Sequence, residues 1–137
     1  DGKLRWSVNL VPPSLIGGQF GRSYAYVFGF IHGARYKEEH KVYPMSPWTE
    51  FSIKARGLGD LSNASISVVF NGEGKTRQER EIYRVQVNLS ADWETYTFKL
   101  YNHEERYIET VALVVEGDEA DTTETTGVIE VDFIDLH

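Results

Sequence analysis

Residues 130–135 read EVDFID and set Glu130, Asp132 and Asp135 within one short stretch of β-type composition. Paired carboxylates are the equipment of retaining glycoside cleavage, one as nucleophile and one as acid and base, about 5–5.5 Å apart. On a strand, Glu130 and Asp132 share a face, roughly 6.6–6.8 Å apart along the backbone. Asp135 joins them only through a bulge. Such a trio is either an active site or the polar face of a strand. A second mixture of residues could hold sugar without cleaving it. HGARYKEEHKVY (32–43) carries Tyr36, Glu39, His40 and Tyr43, and KTRQEREIYR (75–84) carries Arg77, Gln78, Arg80, Glu81 and Tyr83. A pyranose ring offers an apolar C–H face and a rim of hydroxyls, so a binder needs aromatic platforms edged by forked polar groups. The plainer alternative for both segments is a hydrated loop with amphipathic tyrosines.

Other chemistries find little support. GEGKT (72–76) resembles the end of a phosphate loop, but Val69 stands where the first glycine is required and no βαβ unit follows. His32, His40, His103 and His137 lack the close pairing of a metal-binding helix. No serine sits in a glycine-flanked nucleophile elbow. NAS (63–65) and NLS (88–90) match the glycosylation triplet, which matters only in a eukaryotic secretory host.

The elements that must position these residues are strands. Apolar residues recur with period two, and β-branched and aromatic types dominate. Strands are predicted at 4–10, 23–31, 50–58, 64–70, 82–89, 94–100, 110–117 and 127–136. VPPS, PMSP, GLGDLSN, NGEGK and SADW supply the turns, with Asn71-Gly72 as a hairpin signal. Only residues 75–84 have helix-forming composition, without a sustained apolar stripe. Alternation proposes an inward set of Tyr24, Tyr26, Phe28 and Phe30, and another of Phe51, Ile53 and Ala55 opposite Ser52, Lys54 and Arg56. Val85, Val87 and Leu89 alternate with Arg84, Gln86 and Asn88, and Tyr96, Phe98 and Leu100 with Thr95, Thr97 and Lys99. Tyr36, Tyr43, Trp48, Tyr83, Tyr101 and Tyr107 fall outside the pattern; Trp93, directly after a turn, is expected at the sandwich rim. Eight strands without βα alternation imply an all-β fold, an antiparallel two-sheet β-sandwich.

The totals agree with one domain over 1–137 and a substantial core, at 41% hydrophobic and 26% charged residues. Fourteen basic against 21 acidic residues give a net charge of −7, which argues against nucleic acid or an anionic membrane as partner. No apolar run reaches the roughly 18 residues of a spanning helix, so no membrane insertion is expected. Cysteine is absent, which removes disulfides and thiolate metal sites and assigns no compartment. The sequence opens at DGKLRW without methionine, as expected of a piece cut from a longer polypeptide or of a processed chain.

Several segments resemble carbohydrate-binding modules of families four, nine, sixteen and twenty-two. GRSYAYVFGF is similar to the strand after their first loop, and PMSPWTEFSIKARGL to their turn and alternating strand ending in Lys-Ala. VNLSADWETYTFKL resembles their Trp-containing turn and strand, and GVIEVDFIDL their closing strand. The resemblance runs from Arg22 onward, in matching order and spacing. It implies a jelly roll of the galactose-binding-domain type, binding of soluble or amorphous polysaccharide, and a structural calcium ion, with Asp132 at the calcium position. It also implies that the cleft draws on the same two regions, giving Tyr36, His40, Tyr43, Arg77, Glu81 and Tyr83 as carbohydrate-binding candidates. The opening Asn-Gly-x-Phe-Glu segment that supplies calcium ligands in the family is not present before DGKLRWS. EVDFID itself resembles the Glu-x-Asp-x-x-Glu strand of laminarinase-type glycosidases, with Asp where those have Glu.

The expectation is a non-catalytic, monomeric module excised from a secreted, multimodular polysaccharide-degrading enzyme. Its partner would be polysaccharide or oligosaccharide, with β-glucan, xylan and algal galactan as the classes. Two alternatives stay open: a small jelly-roll hydrolase or lyase working through Glu130 and Asp132, and a structural or adhesion sandwich.

Overall fold

In a computed structural model the chain forms two four-stranded sheets, a two-stranded ribbon and one helical turn. The structure describes residues 4–12, 24–30, 43–44, 48–72, 75–100, 107–117 and 123–137, with the backbone alone for 24–30, 43–44, Arg77 and Tyr107. The strands are β1 (Leu4–Leu10), β2 (Tyr24–Phe30), β3 (Tyr43–Pro44), β4 (Glu50–Gly59), β5 (Ser65–Asn71), β6 (Glu81–Asn88), β7 (Glu94–Lys99), β8 (Tyr107–Ile108), β9 (Thr110–Glu116) and β10 (Thr125–Leu136). The first sheet runs β1-β10-β4-β7, the second β2-β9-β5-β6, and β3 pairs with β8. Every pairing is antiparallel. Among the described strands only β5 and β6 are neighbours both in sequence and within a four-stranded sheet; the other connections change sheet. The fold is a jelly-roll sandwich.

The eight expected strands are present within one or two residues at each end. The two-residue strands β3 and β8 are too short to leave a periodic signal. Helical composition at 75–84 yields only α1 (Arg77–Arg80). A capping box starts this turn: Thr76 Oγ1 accepts from the Glu79 amide, and Glu79 Oε2 accepts from the amides of Lys75 and Thr76. From Glu81 the chain enters β6, because alternating apolar residues gain more from a sheet face than from a helix with no apolar stripe. Asn71-Gly72 does lie where β5 leaves for β6, but the connection spans residues 72–80, closed by the Gly72 amide on the Arg80 carbonyl at 2.8 Å.

The core lies between the sheets. Phe51, Ile53 and Ala55 of β4 and Ile129 and Val131 of β10 are buried against Ile66, Val68 and Phe70 of β5, Val87 of β6 and Leu113 and Val115 of β9. Phe51 joins the layers, edge-on to Phe70 at 4.9 Å and stacked with Phe98 at 5.3 Å. Register fixes which residues share each face, since directly opposed residues in an antiparallel pair point the same way.

That rule overturns one expectation. Tyr24, Tyr26, Phe28 and Phe30 of β2 stand opposite Glu116, Val114, Ala112 and Thr110. In turn, Val114, Ala112 and Thr110 stand opposite Ser67, Val69 and Asn71. The inner face of β5 carries Ile66, Val68 and Phe70, so the four aromatic positions fall on the outer face. Alternation correctly grouped the four. It could not say which side was buried, because Ala25, Val27 and Gly29 between them are small, apolar and equally compatible with a core.

Candidate functional site

The outer face of the first sheet holds the three carboxylates. β10 shifts register between Val131 and Phe133, and this bulge puts Asp135 on the face of Glu130 and Asp132. Glu130 is clamped. Arg56 Nε and Nη2 both donate to its Oε1, at 2.9 and 2.7 Å, and Arg5 Nη1 lies 3.3 Å from Oε2. The hydrogen bonding from Arg56 holds the Glu130 carboxyl below its ordinary range, against a smaller opposing effect of desolvation. Arg56 also lies over the Trp93 ring, 4.8 Å from its centroid, which places Trp93 beside this outer face. Asp132 faces Lys54 Nζ at 3.6 Å. Asp135 stands opposite Ser52, whose hydroxyl shares hydrogen bonds with Thr97 and the His137 ring.

A glycosidic acid must hold a proton near neutrality, which requires a raised pKa. Glu130 is shifted the opposite way. A nucleophilic carboxylate beside it would need an unobstructed approach to sugar, whereas Asp132 faces an ammonium. The trio therefore forms a ladder of ion pairs and hydroxyl contacts across the sheet.

Asp132 is also the position expected to hold calcium. Calcium takes six to eight oxygen ligands. Asp132 instead faces Lys54, and among the described residues no group of three or more His, Asp or Glu side chains gathers around a point.

The outer face of the second sheet is built differently. Tyr26, Val114, Ser67 and Gln86 form one cross-strand row, and Phe28, Ala112, Val69 and Arg84 the next. A third row runs Phe30, Thr110, Asn71 and Glu81. Each row starts at an aromatic position, crosses small residues and ends on a forked polar side chain. Val69 and Ala112 form a buried floor, while Arg84, Gln86 and Asn88 are exposed along β6. Three interstrand spacings put β2 and β6 about 14 Å apart, a span of a few sugar rings.

The sequence-predicted residues divide. Tyr36 and His40 lie outside the described residues. Tyr43 pairs with Ile108, and the next residue along, Glu109, donates its amide to the Asn71 carbonyl at 2.8 Å. Asn71 pairs with Glu81, just after α1 and Arg77. The backbone thus brings Tyr43 and the 77–81 segment to one end of the second sheet. Tyr83 corrects its expectation. It stands opposite Phe70, packs against the core and has a buried hydroxyl oxygen. Its parity with Val85, Val87 and Leu89 was the signal, hidden by the mixed composition upstream. Trp48 also packs against the core. In the sequence Gln86 and Asn88 count only as polar partners of an alternation, Ser67 is not singled out, and the aromatic row of β2 is assigned to the interior.

No known family profile matches the sequence, and no curated protein matches it. Among solved structures, the chain is similar to the family 11 carbohydrate-binding module from Clostridium thermocellum in complex with a β-1,3-1,4-mixed-linked tetrasaccharide. The identity is 13%, the TM-score 0.53, and the match covers 99% of this chain and 84% of the other. A family 4 carbohydrate-binding module structure aligns with 18% identity over 97% of this chain and 71% of its own, at a TM-score of 0.43. The likeness to the family 11 module is one of fold, a jelly-roll sandwich.

Proposed function

We propose that the protein is a non-catalytic carbohydrate-binding module that lays a polysaccharide chain across the outer face of the second sheet. One observation carries this reading: β2 sets four aromatic positions on the face that, three strands further on, presents Arg84, Gln86 and Asn88. Aromatic rings receive the apolar faces of pyranoses, while amide and guanidinium groups meet the hydroxyl rim. The outer face of the first sheet also carries aromatics, Phe133 opposite Lys54 and Trp93 beside Arg56, but there they stand among paired charges. Fold likeness to a module solved in complex with a β-1,3-1,4-mixed-linked tetrasaccharide adds support. Tyr43 and the 77–81 segment stand at one end of the groove, and Tyr36 and His40 remain candidates for its flank. In this reading the module is part of a secreted polysaccharide-degrading enzyme, directs it to β-glucan, xylan or algal galactan, and acts as a monomer.

Affinity electrophoresis through gels containing lichenan, laminarin, xylan or agarose tests the proposal, alongside reducing-end assays on the same polymers. Retardation by at least one polymer, without sugar release, is the expected result. Tyr26→Ala and Gln86→Ala should each weaken retardation without unfolding the protein. Sugar release that disappears in Glu130→Gln would establish the hydrolase instead. Migration unaffected by every polymer would favour an adhesion sandwich.

A further inference from the structure

Glu81 and Arg84 are three residues apart on a strand, a spacing that ordinarily sends side chains to opposite faces. Here the β5–β6 register shifts between Phe70 and Asn71, so that Tyr83 meets Phe70 while Glu81 meets Asn71. The bulged residue is Ile82, which packs against the core together with Tyr83. This extra residue returns Glu81 to the outer face, beside Arg84. There Arg84 Nε donates to Glu81 Oε1 at 2.9 Å and Nη2 lies 2.7 Å from the same oxygen. One carboxylate oxygen thus engages the Nε–Nη2 flank of the guanidinium.

We propose that Glu81 determines specificity by neutralising Arg84, so that the groove accepts neutral glycans and rejects polyanionic ones. The inference rests on the sheet-face carbohydrate site argued above. With Glu81 in place, Arg84 acts as an oriented donor to sugar hydroxyls without offering a net positive charge. Glu116 stands at the Tyr24 end of the same face, so a carboxylate and no cation opens that end of the described rows. In the three cross-strand rows Arg84 is the one cation, and Glu81 pairs with it, on a protein whose net charge is already −7. Specificity then comes from an element that disfavours the wrong ligand as well as from contacts to the right one. Glu81 is a positioning residue: it orients Arg84 and cancels its charge without itself needing to touch the glycan.

The test compares lichenan, laminarin, xylan and agarose with polygalacturonate and alginate as probes in affinity gels. The proteins are the wild type, Glu81→Gln, Glu81→Gln/Arg84→Gln, and Asp135→Asn as a charge-matched change on the opposite sheet. The wild type should be retarded by a neutral polymer and by neither polyuronate. Glu81→Gln keeps the shape of the side chain and exposes the arginine charge. It should gain about fivefold in association with polyuronate at low salt, the effect expected of one near-surface charge contact. That gain should fade above about 0.1 M salt, where the screening length falls to about 10 Å. Replacing Arg84 as well should abolish it, and Asp135→Asn should not produce it.

Polyuronate binding by the wild type would overturn the inference. So would a Glu81→Gln protein that still binds neutral polymer yet gains nothing on polyuronate, or a gain equally produced by Asp135→Asn or retained without Arg84. If the wild type binds no neutral polymer, the carbohydrate-module reading fails first and this inference falls with it.

Discussion

Glu130 carries the clearest electrostatic consequence of a single residue. Its folded-state pKa is lowered, chiefly by the Arg56 hydrogen bonds. A lowered pKa means that the interaction contributes fully above the unfolded carboxylate value and is lost as pH falls through the folded one. Glu130→Gln should therefore be less stable than wild type at neutral pH. The two melting temperatures should converge as pH falls through the range below about 4.3. A gap unchanged between neutral and acid pH would detach Glu130 from this role. At Asp132 the prediction concerns metal. The Lys54–Asp132 pair is partly exposed, so Asp132→Asn should alter stability by less than about 1 kcal/mol, equally in calcium and in excess chelator. Destabilisation by Asp132→Asn that appears only with calcium present would make Asp132 a ligand.

Between elements, close approach governs the end of β4. A Cβ on Gly57 would collide with the backbone carbonyl of Leu61, and Gly57 also donates its amide to the Ser90 carbonyl at 2.8 Å. No side-chain rotation relieves such a collision, so Gly57→Ala should cost about 3 kcal/mol or more in chemical denaturation. Gly59, at φ of 66°, needs the left-handed region that other residues enter only at a cost of about 1–2 kcal/mol. Gly59→Ala should accordingly be the milder change. The same experiment applied to β6 separates core from surface. Tyr83→Ala removes a ring that packs on the core opposite Phe70, and should lower stability by several kcal/mol. Gln86→Ala, on the outer face of the same strand, should leave the denaturation midpoint within about 0.5 kcal/mol. Equal losses at the two positions would contradict the register of β6.

At the scale of the molecule, the sandwich sorts its two outer faces by chemistry. One carries the Arg5–Glu130–Arg56–Trp93 row and the Lys54–Asp132 pair; the other carries aromatic positions, a small-residue floor and polar forks. On the proposed reading a glycan crosses several strands, so binding free energy should accumulate with oligosaccharide length. Calorimetric titration with neutral oligosaccharides from one to six units should show affinity rising and then levelling as the face is filled. Equal affinity for the shortest and longest would place the site in an end-binding pocket.

Period two and turn residues were enough to locate the eight main strands, because alternation is a local property of side-chain placement. Parity along β4, β6 and β7 likewise marked Phe51, Ile53, Ala55, Val87 and Phe98 as inward, since their neighbours Lys54, Arg56, Gln86 and Lys99 could not be. In β2 both parities are apolar, so the face of Tyr24, Tyr26, Phe28 and Phe30 depended on pairing with β9, whose residues lie some eighty positions along the chain. The bulges were equally invisible. An extra residue at Ile82 joins Glu81 to Arg84, and another near Asp132 joins Asp135 to Glu130, yet nothing local in composition marks either. Neighbouring strands that come from distant parts of the sequence impose those registers. Which side chains could do chemistry was therefore written in the sequence, whereas which of them meet was decided by strand pairing alone.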